Sequence, residues 1–144
     1  MSRRVDGLKW AEYSKDPWGK RKRGRGAKAA GLRYQARVGE ELARRGFILA
    51  AGPWIRFEDR NGRGYAQPDF IVFESERWTV LEAKLTQTPA AFAQLFHLYI
   101  PLLSLLHPER EFRGVQVCRN LRCRDGVVDD LSRATNGATW HWLS

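Results

Sequence analysis

Cysteine is scarce in this chain, and methionine and histidine nearly as much so: two Cys, one Met and three His in 144 residues. Cys118 and Cys123 have no second pair beside them. A structural zinc site would therefore have to recruit the distant His97, His107 or His141. Cys118 falls in an apolar alternation with Val115 and Val117 and reads as a small core residue in a reducing compartment. The charged N-terminus is not followed by the apolar stretch of a secretory leader. No run approaches eighteen apolar residues without a charge or a proline, so no membrane partner is expected. Internal repeats are absent as well. These absences point to a cytoplasmic protein.

Acidic residues are thin at the start of the chain. In residues 1–33 only Asp6, Glu12 and Asp16 stand against eleven Lys and Arg, so this stretch holds +8 of the formal charge of +9. The rest is nearly neutral. The run Lys20-Arg21-Lys22-Arg23-Gly24-Arg25-Gly26 is too charged and too rich in glycine to form a core. It would attract a phosphate backbone, or simply keep the chain soluble. Trp10, Tyr13 and Trp18 could stack on bases or pack back on the domain. We expect a basic, flexible arm over residues 1–29 and one domain over residues 30–144. With 43% hydrophobic residues, six Trp and seven Phe, that domain can bury a real core.

Charge is also missing from two apolar runs, except at three positions. Asp69 sits in Gln67-Pro68-Asp69-Phe70-Ile71-Val72-Phe73, and Glu82 and Lys84 sit in Thr79-Val80-Leu81-Glu82-Ala83-Lys84-Leu85. An unpaired charge in a buried strand is expensive. Glu82 and Lys84 are two apart in a strand and share a face. A turn over Glu74–Arg77 lets the runs pair as an antiparallel hairpin, with Asp69 near the Glu82–Lys84 end. Two carboxylates beside an ammonium can hold a hard cation such as Mg²⁺ or Mn²⁺ while the lysine meets an anion. That combination suits metal-assisted attack on a phosphodiester. The plain alternative is a surface hairpin in which Glu82 and Lys84 only pair with each other.

Elsewhere the pattern is coarse but readable. Tyr34, Val38 and Leu42 recur every fourth residue and predict an amphipathic helix that stops at Gly46. Phe47–Ala51 is a short strand or a loop. Trp54–Glu58 reads as a strand, and Asn61-Gly62 as a turn leading on to the two motif strands, a three-strand meander in all. Thr88 is a candidate N-cap and Pro89 the favoured first helical residue of an apolar helix to about Leu106. Pro101 lacks the donor for the carbonyl of His97, which predicts a kink. Arg113–Asn120 reads as a strand parallel to the Glu82–Lys84 strand. Val127–Leu131 and Thr139–Leu143 form an edge hairpin or short strands.

Pro68-Asp69, twelve further residues, then Glu82-Ala83-Lys84 resembles the PD-(D/E)XK nuclease superfamily. The stretch from Trp54 through Pro101 looks like small phage-encoded nucleases and Holliday-junction-resolvase-like members. The resemblance implies an α/β fold with a restriction-endonuclease-like core, a mixed central β-sheet flanked by helices. It also implies a viral or bacterial intracellular setting and a Mg²⁺- or Mn²⁺-dependent deoxyribonuclease, an endonuclease more than an exonuclease, acting on DNA and possible as a homodimer. Asp69, Glu82 and the Ala83 backbone carbonyl would hold the metal, and Lys84 would act on the phosphate. Members carry a Glu on the first helix. At about 100° per residue, Glu41 and Gln35 fall on opposite borders of the Tyr34–Val38–Leu42 face, whereas Glu40 points away. Gln35 sits closer to the resolvase position and Glu41 has the better ligand chemistry, so the site includes either. Gln94, with His97 and Ser104, forms a polar seam on the long helix. It is either the helix's solvent edge or similar to the Gln-and-Tyr motif of helicase-associated nucleases, although Tyr99 follows Gln94 by five residues instead of four. Arg56, Arg60, Arg63 and the arm residues Lys20, Arg21, Lys22, Arg23 and Arg25 would contact the DNA backbone. Two further readings stay open: a nuclease fold that binds nucleic acid without cutting it, and an assembly protein with a basic arm.

Overall fold

The computed structural model describes residues 3–18 and 27–143. Their elements are β1 (Trp10–Ser14), α1 (Ala27–Arg44), β2 (Ile48–Ala51), β3 (Trp54–Asp59), β4 (Gly62–Ala66), β5 (Phe70–Phe73), β6 (Trp78–Thr86), α2 (Pro89–Gln94), a π-helical turn (Leu95–Tyr99), α3 (Ile100–Leu106), β7 (Phe112–Asn120), β8 (Val127–Val128), a 3-10 turn (Leu131–Arg133) and β9 (Thr139–His141). The class is mixed α/β. One sheet has six strands in the order β2-β5-β6-β7-β9-β8, and a smaller one has three, β1-β3-β4.

The motif runs form the expected antiparallel pair β5–β6, with Phe70 opposite Leu81 and Val72 opposite Thr79. The helical stretch then returns the chain to β7, which runs parallel to β6 as expected. Beyond it β9 is parallel to both β7 and β8, so the last segments are short strands and not a hairpin.

Side chains of β5 and β6 alternate between two cores. Phe70, Val72 and Leu81 meet Tyr34, Val38 and Leu42 of α1, together with Val115, Val117 and Trp140. Ile71 and Val80 meet Leu95, Leu98, Tyr99, Leu102 and Leu103 of the helical stretch, with Ile55 and Phe57 of the small sheet. Helix α1 lies close on β5 because residue 39 is glycine; a Cβ there would sit 2.9 Å from Cε1 of Phe70. It ends at Gly46, whose φ of 85° suits only glycine well. The amides of Phe47 and Gly46 then bond the carbonyls of Leu42 and Ala43 at 3.1 and 3.0 Å, closing the last turn. Helix α2 opens as read, with the Thr88 hydroxyl accepting from the Ala90 amide at 3.2 Å and Pro89 following. By length and composition alone Pro89–Leu106 could cross a membrane, but Leu95, Leu98, Leu102 and Leu103 are buried against the sheet.

Two expectations are corrected. The Trp54 strand does not join the motif strands in a meander. Arg60 and Asn61 make a two-residue turn between Asp59 and Gly62, so residues 62–66 become β4 and pair with β3. Nor are residues 3–18 a free arm. β1 adds to the open edge of β3, from Trp10 opposite Glu58 to Ser14 opposite Trp54. The Arg3 guanidinium donates to the buried Asp59 carboxylate at 2.6 Å and to the Gly62 and Arg63 carbonyls. Asp59 accepts further from the amides of Asp6 and Asn61. Edge addition and one buried carboxylate therefore draw in a segment whose composition alone reads as unfolded. Helix α1 also begins at Ala27, inside the expected arm. Lys20, Arg21, Lys22, Arg23 and Arg25 lie outside the described residues.

Pro101 leaves the His97 carbonyl without its helical donor, and that carbonyl finds an unexpected partner. The His97 carbonyl, which proline cannot satisfy, accepts from the Val5 amide at 2.8 Å. Just before Pro101 the helix widens into its π turn, where the Ile100 amide reaches back five residues to Leu95.

Deleting residues 1–14 is expected to lower stability by about 3 kcal/mol or more, since it removes a strand ladder whose hydrogen bonds contribute about 1 kcal/mol each. A fall in melting temperature of roughly 10 °C follows for a chain of this size. Superimposable thermal melts of the full-length and shortened proteins would show that the segment is dispensable to the fold.

Candidate active site

Asp69, Glu82 and Lys84 converge at one end of the β5–β6 hairpin. The Phe70–Leu81 pairing, continued outward by one residue, sets Asp69 opposite Glu82 on the same face. The Ala83 amide donates to Asp69 Oδ2 at 2.8 Å and fixes the carboxylate against β6. The Asp69 carbonyl accepts from the Gly52 amide at 2.9 Å, tying the loop to the end of β2. Lys84 Nζ lies 3.6 Å from Glu82 Oε2, and Glu82 is buried while the lysine is one-third exposed.

The electrostatics of this pair are unfavourable when it stands alone. Burial and, next, the negative charge of Asp69 push the Glu82 carboxyl up to about 9, against the opposing pull of Lys84. Burial also raises the Asp69 carboxyl. Glu82 Oε1 is buried without a hydrogen-bond partner, and so is Gln94 Oε1. A buried acceptor left unpaired costs about 1–3 kcal/mol. A hard divalent cation is the kind of group that satisfies such oxygens and cancels the repulsion between carboxylates. The donor set therefore fits Mg²⁺ or Mn²⁺.

Tyr99 belongs to the same cluster. Its hydroxyl donates to Glu82 Oε2 at 3.5 Å and accepts from Gln94 Nε2 at 3.4 Å, both long contacts. In a regular α-helix, residues five apart are about 140° apart round the axis. The π turn over Leu95–Tyr99 admits one extra residue and brings Tyr99 back beside Gln94. The spacing that breaks the sequence pattern is thus absorbed by the backbone. Gln94 faces inward, whereas His97 and Ser104 are exposed, so these three do not form a continuous seam.

Between the two helix candidates the fold is unambiguous. Gln35 lines a cleft of about 370 Å³ together with Leu32, Ala36, Gly39, Gly52 and Asp69. Glu41 does not reach it, which corrects the expectation that it could serve. Its carboxylate bonds Arg44 at 2.8 and 2.9 Å and Arg45 at 2.6 Å. Those arginines hold it down to about 2. Its border of α1 shares a depression with Arg37 and Trp142, on the other side of the helix from Asp69.

Arg56, Arg60 and Arg63 are exposed on and around the small sheet. They are paired with Glu12 at 2.5 Å, Asp6 at 3.5 Å and Glu58 at 3.5 Å. Such surface pairs are worth little and exchange readily for phosphate. One residue escaped the sequence reading. Gln116 stands opposite Glu82 in the parallel register. It is fully buried, accepts from the Thr88 amide at 2.8 Å, and leaves Nε2 unpaired. Its signal was the same as that of Glu82, a polar residue inside an apolar strand.

No group of three or more His, Cys, Asp or Glu converges among the described residues. A metal at this site would rest on two carboxylates and neutral oxygens. No family model, curated protein or solved structure matches the chain.

The raised carboxyls predict a pH dependence. Glu82 moves from an ordinary 4.5 when unfolded to about 9 when folded, so across that window the folded state holds a proton that the unfolded state has released. Stability without metal is then greatest below the lower value and falls as pH rises towards the upper one. Glu82→Gln is expected to flatten this dependence and to raise the melting temperature at pH 8. Melts in EDTA across the window check both, and a wild-type stability that climbs with pH there would contradict the account.

Proposed function

We propose that this chain is a Mg²⁺- or Mn²⁺-dependent DNA nuclease built on a restriction-endonuclease-like core, an endonuclease more than an exonuclease. The observation that carries the reading is the buried, mutually repelling Asp69–Glu82 pair, with Glu82 Oε1 unpartnered and Lys84 3.6 Å from Glu82 Oε2. Strained, buried carboxylates beside a cleft are poor structural elements and good cation ligands. The chain order supports the fold assignment: a helix packed on an antiparallel hairpin that carries the site, then a helical crossover to a parallel strand. The Pro-Asp and Glu-Ala-Lys resemblance implies a mixed central sheet flanked by helices, and this order is compatible with it.

In this reading Asp69, Glu82 and the Ala83 carbonyl would hold the cation, and Gln35 would offer its amide oxygen. The bound cation supplies positive charge that makes phosphorus more electrophilic and water more acidic. Lys84 stabilises the negative charge that grows on the phosphate oxygens as water attacks in line. One bridging P–O bond breaks, and the departing oxygen takes up a proton. Tyr99 and Gln94 orient Glu82, and Arg56, Arg60 and Arg63 meet the backbone without reading sequence.

A second reading is a nuclease-fold protein that binds nucleic acid and cuts weakly or not at all. The neutral Gln35 at the cleft, where members carry a Glu, favours it. Nicking of supercoiled plasmid separates the two. Under the first reading the wild type nicks in Mg²⁺ or Mn²⁺ but not in EDTA, and Asp69→Ala or Glu82→Ala abolishes nicking while the protein stays folded. Lys84→Ala is expected to lower turnover by about 10²-fold while changing DNA affinity in EDTA far less. Full activity in both carboxylate variants would remove the mechanism, and a wild type that binds without cutting would establish the second reading.

A further inference from the structure

An aromatic cluster on the small sheet has no role in the chemistry above. Trp18 meets Trp54 edge-on at 5.1 Å and Tyr65 at 5.5 Å, with interplanar angles of 66° and 64°. Trp18 and Tyr65 remain 55% and 43% exposed. Trp54 and Tyr65 lie on the outer face of the small sheet, since their neighbours Ile55, Phe57 and Ala66 fill its inner face. A small protein seldom leaves three large rings grouped at its surface without use.

Their position links them to the candidate site. Trp54 follows the cleft residue Gly52 by two positions, about 7 Å of chain. Tyr65 precedes Asp69 by four residues on the loop that Gly52 holds. Charge on the face is balanced, with Arg56 against Glu12 and Arg63 against Glu58. Those arginines can exchange their carboxylate partners for the phosphates of a strand whose bases reach the rings. The strongly basic run Lys20–Arg25 starts two residues after Trp18 in the sequence and adds a charge that attracts a polyanion.

We propose that Trp54 and Tyr65, with Trp18 alongside, form a stacking platform for unpaired nucleobases. The preferred substrate then carries a single-stranded segment, such as a flap or splayed end, beside the phosphate to be cut. Every base offers a flat face to an aromatic ring, so the platform is indifferent to sequence. Paired duplex keeps those faces stacked and offers the rings nothing. As a statement about substrate the proposal rests on the nuclease reading, but the platform can be measured without cleavage.

Fluorescence anisotropy in EDTA tests it with three probes of equal length: oligothymidine, an abasic oligomer with the same phosphates, and a duplex. The wild type is expected to bind oligothymidine about tenfold or more tighter than the abasic strand. Tyr65→Ala should erase most of that preference and shift abasic and duplex affinity less than about twofold, while Tyr65→Phe, which keeps the ring, should retain it. Equal affinity of the wild type for the two single strands overturns the platform, and so does an undiminished preference in a folded Tyr65→Ala. The cluster would then only anchor the N-terminal segment. If Tyr65→Ala does not fold, the wild-type comparison decides alone. Plasmid nicking is read separately: its absence removes the nuclease reading and leaves the platform standing, and equal single-strand affinities do the reverse.

Discussion

Two carboxylates held out of water at one end of a hairpin form the constraint on which the rest of this structure turns. Asp69 and Glu82 repel each other, and burial penalises both of their charges. What surrounds them offsets only part of this. Ala83 gives Asp69 one amide, Lys84 stands 3.6 Å from one oxygen of Glu82, and Tyr99 reaches that same oxygen at long range. The other oxygen meets no amide, hydroxyl or ammonium donor. Apolar residues of similar size would make a more stable hairpin.

The buried Arg113 of β7, opposite Thr79 near the start of β6, shows what a structural charge looks like in the same protein. Its guanidinium donates to Thr79 at 2.8 Å, to the Leu131 and Ala134 carbonyls at 3.3 and 2.5 Å, and to Glu74 at 3.3 Å. A charge whose hydrogen bonds are satisfied in this way rigidifies a core. Arg113 is closed to any further partner, whereas Glu82 is open to one. That contrast within a single sheet separates the group that fastens the fold from the group available for chemistry.

Tyr99 reaches Glu82 through a chain of consequences that begins with a missing donor. Pro101 strips the His97 carbonyl of its helical partner, and a π turn precedes it. The wider turn brings Tyr99 round to Gln94 and Glu82, and the freed carbonyl takes the Val5 amide. The N-terminal segment, the small sheet and the candidate site are thereby joined. Arg3 locks onto Asp59 in that sheet, and Val5 crosses from it to the helix that carries Tyr99.

Much of this was written in neighbouring residues. The fourfold recurrence of Tyr34, Val38 and Leu42, the Thr88-Pro89 helix start and the glycine stop at 46 are local, and each appears where its pattern predicts. Asp69, Glu82 and Lys84 were legible because charge inside apolar strands is conspicuous, and the period of two in a strand is enough to bring them to one face. What the sequence could not determine depended on partners far along the chain. Gln35 and Glu41 sit on equivalent borders of α1, and only the packing of that helix on β5 turns one to Asp69 and the other to Arg44 and Arg45. Residues 3–18 read as a tail because charge and composition are local quantities. Their fate was set by the open edge of β3, the buried Asp59 and the freed carbonyl of His97, and those become available only after the rest of the chain has folded.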